Sequence, residues 1–356
     1  MKYFKTVDNL LFYKDPTEFN KYTPRNILKY AIGANLYMPG TQTNIFNKLI
    51  HNTYREIGAI TLCLEDAISE KDVKKAEHNI VELLNNLHNE CIKNTKLYQE
   101  LPLIFIRVRN VKQFQEFSKR LSKNHLEMLC GFNFPKFNSS NGREYLSVLK
   151  ELSEKHDEIL YGLPILEDKC LIYKETRFNE LEMIQNILND YKKYILNIRV
   201  GGTDFSSLFG LRRSVTNTVY DIKVVADCLI DILNFFLRQG EEMVVSGPVW
   251  EYFSNDFNSE EIQGLIKELR LDIENGFYGK TIIHPSQINP VNTQYIVKYH
   301  DYIDAENILN SEGGVKKGFK NNRMNETAPH KNWAKKIISR AKIFGVAEDN
   351  ATIHRY

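Results

Sequence analysis

Residues 159–168 read Ile159-Leu160-Tyr161-Gly162-Leu163-Pro164-Ile165-Leu166-Glu167-Asp168, and residues 195–204 read Ile195-Leu196-Asn197-Ile198-Arg199-Val200-Gly201-Gly202-Thr203-Asp204. Each is an apolar run of strand length that stops at acidic or glycine-rich polar residues. Between them, Phe178–Leu188 carries its apolar residues at helical spacing. Together they read as strand, helix, strand, and near-continuous apolar strands of this kind belong to parallel sheets covered on both faces.

The unit repeats outward in both directions. Further short apolar runs lie at Ala31–Met38, Ala59–Leu64, Leu103–Val108, Met128–Phe134, Glu242–Ser246 and Thr281–Ile283. Helical spacing recurs at Asp72–Leu87, Val111–Leu121, Glu144–Lys155, Thr218–Leu237 and Ser259–Leu271. In the last, Ile262, Leu265, Ile266 and Leu269 fall on one face. Eight strands alternating with helices is the count of a (β/α)8 barrel, which needs about 250 residues. A doubly wound open sheet shows the same alternation, so periodicity leaves both open. Beyond residue 309 the pattern changes: Ser311–Gly318 carries Gly313, Gly314 and Gly318 among lysines, Asn321–His330 is irregular, and Lys331–Phe344 returns to helical spacing. Residues 1–309 are therefore read as the barrel domain and 310–356 as a C-terminal helical arm or lid.

Composition narrows the function classes. Of 356 residues 42% are hydrophobic and 26% charged, which excludes disordered and fibrous chains. A net charge of +2 provides no field for nucleic acid, and no apolar run is long enough to span a bilayer. Met1–Leu11 lacks the apolar core of a signal peptide, so a cytoplasmic protein is expected. The five cysteines are widely spaced with no Cys-x-x-Cys, which argues against a disulfide framework or structural zinc.

In a parallel barrel the chemistry sits where strands end, because the loops there converge on one mouth. The expected strand ends are Glu65-Asp66, Arg107-Val108-Arg109, Pro135-Lys136, Glu167-Asp168, Gly201-Gly202-Thr203-Asp204, Ser246-Gly247-Pro248 and His284-Pro285. Singly, each has a plain explanation such as a helix cap or a turn. Jointly, that many charged ends call for a ligand or metal. Glu167 and Asp204 offer oxygen ligands alone, which suits Mg²⁺ with positions left open for substrate. Arg107 supplies a planar fork for a carboxylate or a developing enolate. Arg212-Arg213 reads either as a contact for an anionic substrate tail or as an exposed helix start, His284 as a structural or substrate-facing histidine, and Trp250 as packing.

The ordered motifs Leu36-Tyr37-Met38-Pro39-Gly40, Leu64-Glu65-Asp66-Ala67-Ile68, Ile106-Arg107-Val108, Phe134-Pro135-Lys136, Leu166-Glu167, Gly202-Thr203-Asp204-Phe205, Gly276-Phe277-Tyr278-Gly279-Lys280 and Ile283-His284-Pro285-Ser286-Gln287 resemble those of the citrate lyase beta-subunit-like carbon–carbon lyases, the HpcH/HpaI aldolase superfamily. The resemblance implies a TIM barrel in which Glu167 and Asp204 hold Mg²⁺ and Arg107 contacts the substrate carboxylate and enolate. It implies a small oxo-acid or its acyl-CoA thioester as substrate, and a homo-oligomer, trimer or hexamer, whose C-terminal segment covers a neighbour's site. Glu326 in Met324-Asn325-Glu326 is then the acid contributed in trans. Gly33-Ala34 stands where the family usually has Arg-Ser, and Arg109 where it usually has Asn. With a longer segment between Glu167 and Asp204, these departures resemble a branch found in bacterial tellurium-resistance and stress gene clusters.

The expected activity is a Mg²⁺-dependent carbon–carbon lyase or aldolase. Arg107, Asp66 and Glu326 are its catalytic candidates, and Arg107, Arg109, Lys136, Gly202, Thr203 and Pro248 its substrate contacts. Two alternatives remain at this point: a metal-dependent thioester or phosphate-ester hydrolase on the same barrel, and a non-catalytic barrel serving as a binding or assembly module.

Overall fold

The computed structural model describes residues 1–5, 12–54, 56–238 and 243–349. Part of the Met1–Leu11 stretch and the first residue of the expected strand at Glu242 lie outside the described residues. Eight parallel strands run in chain order: β1 (Ala34–Pro39), β2 (Ala59–Cys63), β3 (Leu103–Arg107), β4 (Gly131–Phe134), β5 (Tyr161–Leu166), β6 (Ile198–Val200), β7 (Val245–Ser246) and β8 (Lys280–Ile282). They form one sheet in the order β7-β6-β5-β4-β3-β2-β1-β8. The remaining edge closes through backbone bonds from Tyr278 N–H to Val245 O (2.8 Å) and from Gly247 N–H to Gly279 O (2.9 Å). The alternation is thus a barrel, with no free sheet edge left to satisfy.

Every residue of β2, β3, β4 and β5 is buried, which is why these segments read as unbroken apolar runs. The outer layer is built from α1 (Val73–Lys93), α2 (Val111–Ser118), α3 (Gly142–His156), α4 (Lys174–Asp190), α5 (Lys223–Phe236) and α6 (Glu260–Asn275). Helix α6 starts at Ser259, whose hydroxyl accepts from the Ile262 N–H, and stops at Gly276 at φ +104°. It buries Ile262, Leu265, Ile266 and Leu269, each contributing about 1.5–3 kcal/mol.

Two features depart from a standard barrel. The interior, ordinarily filled with branched apolar residues, is polar. Asn133 of β4 donates to the Tyr37 hydroxyl of β1 (2.5 Å) and to Thr61 of β2 (3.3 Å), and Thr61 donates to Asn35 (3.0 Å). Strands β1 and β4 are not neighbours, so these bonds cross the inside. On the outside, Lys280 of β8 is fully buried and donates to Glu268 (2.7 Å) and Asp272 (2.6 Å) of α6. Arg213 also pairs with Glu268, and the Tyr220 hydroxyl donates to Asp272 (2.7 Å). Arg213 is thus buried in a structural ion pair rather than standing at an exposed helix start. Trp250 is buried under Arg213 as packing, with its indole N–H on the Glu261 carbonyl (2.9 Å).

After the barrel, α7 (Tyr299–Leu309) packs on α8 (Thr327–Phe344) around Val297, Tyr302, Ala305, Ile308, Ala334, Ile337 and Ala341. The short strands Val315–Lys317 and Met324–Glu326 pair as an antiparallel hairpin between them. The C-terminal element is tied back to the barrel where Phe344 stacks on Tyr3 (4.5 Å between ring centres) and where Val346–Ala347 pairs with Phe12–Lys14. All five cysteines are free, and no helix of the described residues is long and apolar enough to cross a membrane.

Replacing one acid of the buried cluster exposes the cost of an unmatched charge. Asp272→Ala, which leaves Lys280 with Glu268 alone, is expected to lower stability by about 3–5 kcal/mol in urea unfolding; a loss under 1 kcal/mol would show that the cluster is not holding β8.

Candidate active site

The mouth of the barrel is built by strand ends whose adjacent acids divide their duties. After β5, Asp168 caps the short helix Lys169–Ile172 by accepting from the Cys170 N–H (3.1 Å), while Glu167 turns inward and is almost fully buried. After β2, Asp66 is largely exposed and Glu65 turns inward. Arg107, the last residue of β3, sits between them. Its Nη2 lies 2.7 Å from Glu65 Oε2, 3.1 Å from Glu167 Oε1 and 3.3 Å from Asp66 Oδ2.

Lys136, following β4, completes the network. Its backbone takes φ +48°, unusual for a side-chain-bearing residue and of the kind that collects at functional sites. That turn aims its N–H at Glu167 Oε1 (3.0 Å) while its ammonium reaches Glu65 Oε1 (2.5 Å) and stands 3.9 Å from Asp66 Oδ1. Asp204 enters from the first turn of the helix Gly202–Ser207. A Cβ built on Gly201 would fall 2.3 Å from Glu167 Cβ, 2.6 Å from Glu167 Oε2 and 3.3 Å from Asp204 Oδ2. The two carboxylates therefore face the same small space, and only glycine at 201 leaves it open.

Electrostatics follow from this crowding. Burial pushes the Glu167 carboxyl up to about 7; Arg107 pulls it back and Asp204 pushes it further. Burial raises Asp204 and Glu65 as well. For Arg107, burial works against the charge, but Glu167 and Glu65 outweigh it and keep the guanidinium protonated. Two carboxylates at raised pKa, Glu167 buried and Asp204 half-buried, with oxygen donors alone, suit a hard divalent cation that would neutralise both. Among the described residues no group of three or more His, Cys, Asp or Glu is placed to hold a metal ion. Mg²⁺ needs none, since it is commonly held by one or two carboxylates with water or substrate filling the rest. The residues fit that ion.

The profile of the C–C bond lyase family of the TIM-barrel fold matches residues 26–346. The chain belongs to this family. Solved structures similar to this family member include the CitE protein of Mycobacterium tuberculosis in complex with magnesium, acetoacetate and coenzyme A, at 18% identity and TM-score 0.54, covering 88% of this chain and 99% of that one. A citrate lyase from Burkholderia xenovorans aligns at 13% identity and TM-score 0.66 over 89% of this chain and 94% of that one. The malate synthase of Haloferax volcanii, as its lead(II) complex, aligns at 13% identity and TM-score 0.55 over 74% and 73%. At these identities the likeness is one of fold. No curated protein sequence matches the chain.

The other expected site residues of this lyase-family chain fall as follows. Thr203 donates to Glu251 (3.1 Å), and Pro248 packs against Gly202, where a Cβ would come within 2.9 Å of it. These residues border a cleft of about 300 Å³ lined by Gly202, Thr203, Ser206, Arg212 and Glu251. Arg109 points back to the Leu64 carbonyl (3.4 Å), bracing the loop after β2. His284 caps the turn Pro285–Gln287 by accepting from the Ser286 N–H (3.2 Å). Glu326 lies on the C-terminal hairpin, where its N–H donates to His330 (2.9 Å). Sequence reasoning overlooked Glu65 as a site residue, although it stands in the quoted Glu65-Asp66 pair. Which of two adjacent acids turns inward depends on the pleat, not on residue type.

Two measurements probe this geometry. Gly201→Ala should weaken Mg²⁺ binding roughly 10–100-fold, the range for disturbed metal surroundings, in calorimetric titration of a folded protein. Because Glu167 must lose its proton to hold a cation, Mg²⁺ affinity should rise about fivefold from pH 6 to pH 7, about twofold more by pH 8, and level off beyond. Metal-free stability should move oppositely. The folded state holds the Glu167 proton more tightly than the unfolded state, with its ordinary value of 4.5, so this group's contribution falls as pH rises from 4.5 to about 7. A flat Mg²⁺ profile would remove Glu167 from the metal site.

Proposed function

We propose that the protein is a Mg²⁺-dependent carbon–carbon lyase or aldolase acting on a small oxo-acid or its CoA thioester. The observation that carries this reading is the meeting of Glu167, Asp204 and Arg107 at one barrel mouth. Bound by Glu167 and Asp204, Mg²⁺ would supply Lewis-acid stabilisation of negative charge on a substrate carbonyl oxygen. Arg107, already fixed by Glu65 and Glu167, presents its remaining N–H groups to that oxygen without reorganising as charge develops. Lys136 and Asp66 hold the outer side of the network. The Gly202 and Thr203 backbone at the helix start, with Pro248 beside it, receives the substrate's carboxylate end, and Arg109 braces the rim.

Breaking a C–C bond beside a carbonyl leaves an enolate whose carbon must take up a proton. We assign delivery of that proton to Glu326 from a second copy of the chain, within a cytoplasmic homo-oligomer, trimer or hexamer. The placement in the tellurium-resistance branch, and the use of CoA, rest on the resemblance of the motifs. CitE of Mycobacterium tuberculosis, solved with magnesium, acetoacetate and coenzyme A, supports the same ligand chemistry for this barrel.

The decisive experiment removes the two proposed ligands separately. Glu167→Gln and Asp204→Asn should each lower Mg²⁺ affinity roughly 10–100-fold and abolish Mg²⁺-dependent exchange of pyruvate methyl protons with deuterated water, followed by NMR. Survival of both properties in both variants would end the lyase reading.

A further inference from the structure

The polar barrel interior contains two guanidinium groups, and only one of them is matched. Arg107 has Glu65 and Glu167. Arg199, at the centre of β6, is 1% exposed, and among the described residues no carboxylate pairs with it. Its Nη2 donates to the Thr281 hydroxyl of β8, and its Cζ lies 5.9 Å from the Tyr37 ring centre of β1. Its Nε and Nη1 are buried without a hydrogen-bond partner. Neither contacting strand neighbours β6, so the side chain projects into the barrel.

A guanidinium does not escape its charge by losing a proton. An unpaired buried cation is therefore among the costliest groups a core can contain, unless an anion completes it. Around it, Asn35 Nδ2, Asn133 Oδ1 and Asn197 Nδ2 are likewise buried and unpartnered. Tyr37 and Thr281, which touch the guanidinium, are each partly exposed, and Tyr37 stands two residues before Pro39 at the mouth end of β1. Arg107 and Arg199 both act electrostatically on Tyr37, so the unmatched charge lies one side chain away from the group assigned to the enolate.

We propose that Arg199 is a specificity-determining residue that receives a second carboxylate of the substrate inside the barrel. The inference rests on the metal-and-enolate reading of the same mouth and adds where the far end of the substrate goes. A fork-to-carboxylate contact in a dry interior is a strong, directional interaction. An acid lacking the second carboxylate leaves the Arg199 charge uncompensated, so discrimination arises from both gain and penalty.

The test uses the full-length protein with Mg²⁺ and two stable probes that differ by one carboxylate, lactate and malate. Calorimetric titration of the wild type should show malate bound at least roughly tenfold more tightly than lactate, the size expected of one charge-assisted contact. In Arg199→Met that ratio should fall close to one. Arg199→Lys, which keeps the charge and loses the fork, should fold and show an intermediate ratio, and it decides the matter if the methionine variant does not fold. A malate-to-lactate ratio unchanged in either folded variant would overturn the assignment, as would a wild type that binds the two acids equally. Titration with Mg²⁺ alone reads Glu167 and Asp204 separately. Failure there counts against the metal reading, whereas an intact Mg²⁺ isotherm with an unchanged acid ratio counts against Arg199 alone.

Discussion

Arg107 is the interaction on which the mouth depends. Glu65, Asp66, Glu167 and Asp204 bring four acids to one end of the barrel, and without a counter-charge their repulsion would splay the loops that carry them. One guanidinium at the end of β3 reaches the loop after β2 and the loop after β5, so a single side chain ties three segments of the rim together. Lys136 repeats the arrangement from β4, with its ammonium on Glu65 and its backbone on Glu167. The left-handed turn at Lys136 is retained because both of its polar groups are satisfied there.

Barrel closure places these groups. A parallel sheet of eight strands brings strand ends distant in sequence onto one face, and the direct pairing of β5 with β6, Leu166 opposite Val200, sets Asp204 beside Glu167. On the outer wall the burden of charge is answered differently. Lys280, Glu268, Asp272, Arg213 and Tyr220 pair with one another, charge against charge, and dock α6 onto β8. That cluster is structural, whereas the interior is left with unmet polar groups. The contrast separates charge that holds the fold from charge that awaits a ligand.

The departures from the family pattern have local causes. At Gly33, φ is +51° and a Cβ would meet the Tyr3 hydroxyl at 2.6 Å and Asn292 Oδ1 at 2.7 Å, so the N-terminal segment and the residues after β8 have occupied that ground. Asn292 in turn accepts from the Ala34 N–H (3.0 Å). Arg109 is turned back onto the Leu64 carbonyl and serves the loop rather than the open mouth.

The eight apolar runs and the amphipathic segments between them were legible in the sequence, because strand and helix periodicity are local and burial on both faces keeps the strands predominantly apolar despite the inward Asn35, Thr61, Asn133 and Arg199. So was the gathering of Glu65, Asp66, Arg107, Lys136, Glu167 and Asp204 at strand ends, since parallel topology sends all such ends to one side. Periodicity did not choose between a barrel and an open sheet; the bonds joining β7 to β8 did. Nor could spacing say that Glu65 rather than Asp66 turns inward, that Arg213 is buried against Glu268, or that Arg199 projects into the barrel without a carboxylate among the described residues to pair with. Those outcomes depend on pleat, on strand register and on which distant charges meet, and Coulomb pairing across a closed cylinder carries no trace in the order of residues along one strand.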